Sequence, residues 1–186
     1  MMKTDPSKLN SKPTPKHDAI VVLKNDHATV KKLFKEYERL AEKEDIPGKT
    51  ALANRICAEL TVHTKVEEEI FYPAAREAIE DDDLLNEADV EHASAKDLIS
   101  QIQTTDPEDP MYDAKVKVLS EYINHHVEEE ETEMFPKVRE AKKLDLRAMG
   151  QELTDRKEQM LASLTGSDGE INPKGLGDLI SSGTTH

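Results

Sequence analysis

His63-Thr64-Lys65-Val66-Glu67-Glu68-Glu69-Ile70-Phe71-Tyr72-Pro73 recurs at His126–Pro136 as HVEEEETEMFP. Both copies carry a Glu four residues after the His (Glu67, Glu130) and close on an aromatic residue followed by proline. Residues four apart lie one above the other on a helix, so each copy aims an imidazole and a carboxylate at the same point. The repeat extends upstream. Asp26-His27-Ala28-Thr29-Val30-Lys31 precedes the first copy and Glu91-His92-Ala93-Ser94-Ala95-Lys96 the second. The unit is thus a lone His, a gap, then His-x-x-x-Glu. A duplicated unit of this length reads as a helical hairpin that buries its apolar face only against its copy.

Working outward, apolar residues at spacings of three and four predict the helices. Asp18 is a candidate cap for a first helix over about 18–43, with Ile20, Leu23, His27, Val30, Phe34 and Tyr37 on one stripe. Asp45-Ile46-Pro47-Gly48 breaks the chain. A second helix over about 50–80 faces inward with Leu52, Ile56, Leu60 or Glu59, His63, Glu67, Ile70 and Ala74. Pro73 is expected to bend it rather than end it. Asp81-Asp82-Asp83 marks a turn. A third helix over about 84–104 presents Leu85, Ala88, His92, Ala95, Ile99 and Ile102. After the Thr105–Pro110 linker, a fourth over about 112–141 presents Val116, Leu119, Ile123, His126, Glu130 and Met134. The fold class is all-α: an antiparallel up-down four-helix bundle, with an additional C-terminal helix over about 145–164.

Residues 1–16 are polar with three prolines and read as a disordered N-terminal segment. Residues 17–165 read as the bundle plus its fifth helix. Residues 166–186 turn to Gly, Ser, Asp and Pro and read as a flexible tail. His17, before the first helix, has no assigned role, and His186, at the end of that tail, has no reason to be a ligand.

The 186 residues, 36% apolar and 34% charged, suit one helical domain with a charged coat. A net charge of −14 argues against nucleic acid or an anionic membrane as the main partner, since both need basic surface. Cys57 is the one cysteine, so there is no intrachain disulfide, and its place beside Ile56 and Leu60 predicts a packed thiol. No apolar run is long enough to span a bilayer, and the first residues lack the apolar core of a secretory signal. The expected address is cytoplasmic.

Four helices each bring a His to the core, and two add a Glu. A single inward His is usually a satisfied core residue, and Glu-rich runs such as Glu67-Glu68-Glu69 and Glu128–Glu131 are usually solvated faces. The joint set His27, His63, Glu67, His92, His126 and Glu130 is different. Burying two carboxylates against four imidazoles is costly unless a cation lies among them. Six ligands with two carboxylates suit a pair of ions, and imidazole with carboxylate suits Fe, Mn, Zn or Cu. Glu59 and Tyr122 stand one turn before the paired histidines. They either line the site, supporting its ligands from behind, or pack at the bundle end. His125 lies about 100° round the helix from His126 and is expected at the surface or behind the ligands.

The order His, His-x-x-x-Glu, His, His-x-x-x-Glu, with Phe-Tyr-Pro and Met-Phe-Pro endings, resembles the hemerythrin-like HHE cation-binding family over about residues 17–141. The resemblance implies a four-helix bundle holding a non-haem di-iron centre, two iron ions bridged by carboxylates and an oxo or hydroxo group. By position it implies His27, His63, Glu67, His92, His126 and Glu130 as ligands. The oxygen carriers of the family have a further His one turn before the His of the third helix, where this chain has Ala88, and a differently spaced Asp in place of the second Glu. That departure favours reaction with oxygen, peroxide or nitric oxide over simple oxygen carriage, with catalase- or peroxidase-like chemistry if the chain is an enzyme. The alternatives are a carrier or sensor of oxygen or nitric oxide, and an iron donor for repair of iron–sulfur centres. The ferritin-like di-iron pattern Glu-x-x-His does not fit, because Leu60 and Ile123 stand three residues before His63 and His126.

Overall fold

The computed structural model describes residues 17–166, 169 and 171–181. Each of the four bundle helices opens on an aspartate. Asp18 caps α1 (Ala19–Glu42), accepting from the Val21 N–H. Asp45 caps α2 (Ile46–Val66), whose first turn holds Pro47. Asp81 caps α4 (Asp82–Thr104) and Asp109 caps α5 (Pro110–Glu129). An acidic side chain there satisfies an orphan N–H and complements the positive helix end. The Asp81-Asp82-Asp83 cluster thus belongs to the start of α4, and the preceding helix ends on Glu80 in the left-handed region (φ 52°).

The second and fourth helices are each interrupted by a π turn. The first, Glu67–Phe71, leads into α3 (Tyr72–Ile79), and the second, Glu130–Met134, leads into α6 (Phe135–Ala141). In each, the first N–H of the following helix donates to the carbonyl of the motif Glu five residues back: Tyr72 to Glu67, Phe135 to Glu130. Pro73 and Pro136 sit just beyond. A proline has no N–H to give to the carbonyl four residues back and its ring crowds that carbonyl; a widened turn removes the conflict without breaking the helix. The extra residue also shifts the inward face by one position. Phe71, Tyr72 and Ala75 are buried, whereas Ile70 and Ala74, which α spacing places inward, are only half-buried.

Helix α1 packs on α2 and α5, and α4 packs on the same two, so the antiparallel bundle runs α1, α2, α4, α5 around its core. The predicted stripes of α1, α4 and α5 are all buried. Helix α7 (Leu146–Leu164), capped by Asp145, lies outside α1 and α2. The reading of 166–186 as a flexible tail is corrected for its described part. Helix α8 (Pro173–Ser181) packs on α2, α4 and α7, and Leu176 is fully buried. Leu176, Leu179 and Ile180 fall at helical spacing and supply an apolar face within a glycine-rich stretch. His186 and residues 1–16 lie outside the described residues. No described helix is long and apolar enough to cross a membrane.

Candidate metal centre

All six predicted groups converge in the core. His27, His63, Glu67, His92, His126 and Glu130 are each buried. One group gathers His27, His63, Glu67 and Glu130; a second gathers Glu67, His92 and His126. His27 Nε2 lies 3.2 Å from His63 Nε2 and 3.2 Å from Glu130 Oε2. His92 Nε2 lies 3.1 Å from His126 Nε2. Glu67 Oε2 sits between the groups, 3.2 Å from His63 Nε2 and 3.4 Å from His92 Nε2.

Behind each imidazole stands a carboxylate. His27 Nδ1 donates to Glu131 Oε1 at 2.9 Å, His92 Nδ1 to Glu68 Oε1 at 3.1 Å and His126 Nδ1 to Glu91 Oε2 at 2.7 Å. His63 Nδ1 faces Asp26 Oδ2 at 3.4 Å. The pattern follows the duplication. Asp26 and Glu91, each just before the lone His, hold the paired His of their own hairpin. Glu68 and Glu131, each just after the motif Glu, hold the lone His of the other. A proton fixed on Nδ1 leaves Nε2 with its lone pair directed inward. Lysines anchor three of these carboxylates: Lys96 on Glu68, Lys24 on Glu131 and Lys157 on Asp26.

Glu68, Glu131, Asp26 and Glu91 were the residues that sequence reasoning missed. The first two stand in runs that read as solvated, and they are indeed part-exposed. The acid before each lone His was visible in the repeat and was the usable signal. Tyr72 was missed because the π turn carries it inward. Its hydroxyl donates to Glu130 Oε1 at 2.9 Å and lies 3.1 Å from His92 Nε2. Glu59 and Tyr122 do not reach the centre. Glu59 faces Arg55 at 3.9 Å, and Tyr122 is 46% exposed. Leu60 and Ile123, three residues before each His, take the inward position instead. His125 is exposed.

The donor set fits a cation. Glu67 Oε1 and Oε2 and Glu130 Oε2 are buried without a hydrogen-bond partner. With the proton held on Nδ1, the imidazole nitrogens 3.2–3.4 Å away turn lone pairs, not N–H bonds, toward these oxygens. As a purely titratable cluster the same groups compete for protons. Burial and the neighbouring Glu130 push the Glu67 carboxyl well up. Glu130 is equally buried, but His126 and His27 hold it well below the carboxylate range. Burial, with His27 alongside, lowers His63 to about 4, and burial beside His126 lowers His92. Burial and the charge of Glu130 raise the Tyr72 phenol well above its ordinary value, so it remains a proton donor.

A bundle of this connectivity, with imidazoles and carboxylates duplicated in register at its core, defines a metal-binding helical protein. The chain belongs to the hemerythrin HHE cation binding domain family, which it matches over residues 18–138. It is similar to a solved structure of a hemerythrin HHE cation binding domain-containing protein, the Rv2633c homolog of Mycobacterium kansasii. The identity is 26%, the TM-score 0.68, and the match covers 88% of this chain and 99% of that one. It is also 30% identical over 118 residues to a protein of Nostoc sp. named as a DNA nickase. That match covers 63% of this chain, which spans only 32% of the relative's length.

Proposed function

We propose that the chain is a non-haem di-iron protein that binds and reacts with small oxidants, oxygen, peroxide or nitric oxide, in a stress or redox role. The observation that carries this reading is the sharing of Glu67 between two buried groups of imidazoles. His27, His63, Glu67, His92, His126 and Glu130 would hold the ions, with Glu67 common to both groups. Bound there, iron supplies one-electron redox chemistry toward such molecules. The chain's residues supply the rest. The carboxylates on Nδ1 orient the imidazoles and raise their basicity. Tyr72 holds a phenol proton at the second group, and Glu67 is the carboxyl most ready to carry one. Val30, Leu60, Ile123 and Val127 wall a cavity of ≈ 10 Å³ beside His27, His63 and His126. That is about the lower limit for a single water, so the space excludes large substrates.

Nicking is not carried over from the cyanobacterial relative. The shared region is a minor part of that protein, and a net charge of −14 is unsuited to a phosphate backbone.

The test is metal analysis and an ultraviolet–visible spectrum of protein purified from iron-supplemented cells, followed by peroxide in an oxygen electrode. The expected result is two irons per chain, near-ultraviolet charge-transfer bands and oxygen evolution that His126→Ala abolishes. A zinc-only protein with a featureless spectrum overturns the di-iron reading. A reversible spectral change on oxygen or nitric oxide, with no oxygen evolution above free iron, makes the chain a carrier or sensor instead.

A further inference from the structure

The duplication gives the buried centre two equivalent outer approaches, and they are finished differently. On the first hairpin, Asp26 turns Oδ2 to His63 Nδ1 and Oδ1 to Lys157 Nζ. Lys157 belongs to α7, which packs over α1, α2 and the first π turn. Val62 and Val66 are fully buried on that hairpin. In the register of the repeat, their counterparts on the second hairpin are His125 and Glu129, and the counterpart of Asp26 is Glu91. An apolar, covered approach is thus matched by an open, ionisable one.

Glu91 repeats the double role of Asp26 with one difference. Its Oε2 accepts from His126 Nδ1 at 2.7 Å. Its Oε1 faces not a lysine but His125 Nε2, at 3.8 Å, and that nitrogen is 3.4 Å from Glu129 Oε1. Among the described residues, no lysine or arginine pairs with Glu91 or Glu129. His125-x-x-x-Glu129 also reproduces, one residue earlier, the spacing of His126-x-x-x-Glu130. Glu87 and Glu133 stand exposed one turn away on α4 and the second π turn, adding negative charge.

The geometry points to a divalent-cation site of His125 Nε2, Glu91 Oε1 and Glu129 Oε1, at the place over Glu91 that Lys157 Nζ takes over Asp26. The three donors lie within 4.8 Å of one another. One imidazole with two carboxylates suits Fe(II), Mn(II) or Zn(II). The site shares Glu91 with His126 and faces solvent, so it serves as the station through which metal reaches the buried pair. That supply role, unlike the site itself, rests on the buried residues holding metal.

The experiment counts Mn(II) bound to full-length protein from the electron paramagnetic resonance signal of the free ion. Parent and His125→Ala/Glu129→Gln protein are compared, each metal-free and iron-loaded. The parent is expected to bind one Mn(II) more than the variant in both forms, with equal buried iron. Equal Mn(II) counts overturn the site. If the buried residues take no metal, the parent still binds one and the variant none, so failure of the di-iron reading is told apart from failure of the outer site. In stopped-flow loading with substoichiometric Fe(II), the variant is expected to fill about tenfold more slowly, as loss of a focusing charge cluster predicts. An unchanged rate overturns the supply role. Circular dichroism of the variant, expected to match the parent, checks that its fold is intact.

Discussion

At the scale of single residues, Glu67 sets stability against metal binding. It is fully buried, both its oxygens lack hydrogen-bond partners, and burial beside Glu130 raises its pKa from 4.5. The unfolded carboxyl ionises freely above that value and the folded one resists. The group's contribution to stability is therefore full below pH 4.5 and falls as the pH rises. Glu67→Gln keeps the shape and removes the ionisation. Metal-free at pH 7, the variant is expected to exceed the parent in stability by about 1–3 kcal/mol in urea titrations. With metal the order reverses, because the parent gains binding free energy that the variant has lost. A metal-free variant weaker than the parent would refute this account. The carboxylates behind the imidazoles make a second case. Glu68→Gln and Glu131→Gln leave every inward group in place but remove the charge facing His92 and His27. Chelator competition is expected to show about 10–100-fold weaker metal binding, and unchanged affinity would make these contacts incidental. The six inward groups were legible because spacing alone aims them. Glu68 and Glu131 were not, since a part-exposed Glu in an acidic run looks the same in sequence whether it faces water or an imidazole; Asp26 and Glu91 were marked only by the repeat.

At the scale of elements, amphipathic spacing located the helices of the bundle to within a few residues. It failed where a turn departs from 3.6 residues. The π turns at Glu67–Phe71 and Glu130–Met134 are what bring Tyr72 and Phe135 inward. Only the prolines that follow hinted at them. Helix α8 was hidden for another reason: a short apolar face is masked by glycines when composition is averaged. The docking of α7 can be tested at Gly150. A Cβ there would lie 2.5 Å from the His17 carbonyl oxygen and 2.8 Å from the Asp18 carbonyl carbon, both backbone atoms at the start of α1. Helix propensity alone favours Gly150→Ala by about 1 kcal/mol. The backbone contact is expected to outweigh it, lowering stability by about 1–3 kcal/mol through overpacking. A lower urea midpoint at unchanged slope is the expected outcome, and a higher midpoint would show that α7 rides away from α1 without cost.

At the scale of the whole molecule, two of the places where ionisable groups are buried together stand well apart. One is the metal centre. The other lies ten residues along α1 from His27, about 15 Å at helical rise, where Tyr37 donates to Asp113 at 2.5 Å and the buried Lys49 holds both Asp113 oxygens at 2.9 Å. Tyr112 lies under Lys49 Nζ. Burial pushes the Cys57 thiol up from 9.0 to about 12. Burial also raises both phenols, with Asp113 adding to the shift of Tyr37 and Cys57 to that of Tyr112. All three are acids held neutral by the fold. The unfolded chain releases their protons at ordinary values, so their contribution to stability is whole below about pH 9 and drains away above it. For Cys57 the loss runs from pH 9 to about 12, at about 1.4 kcal/mol per pH unit. Urea titrations between pH 8 and 10.5 are expected to show stability level at first and then falling, with a slope that exceeds one proton as the tyrosines join. Cys57→Ala should lower the starting stability through its cavity yet make the alkaline slope shallower. A slope unchanged by that substitution would mean the thiol ionises within the folded bundle. The Cys57 side chain would then be open to water, against its burial in the core at 1% exposure.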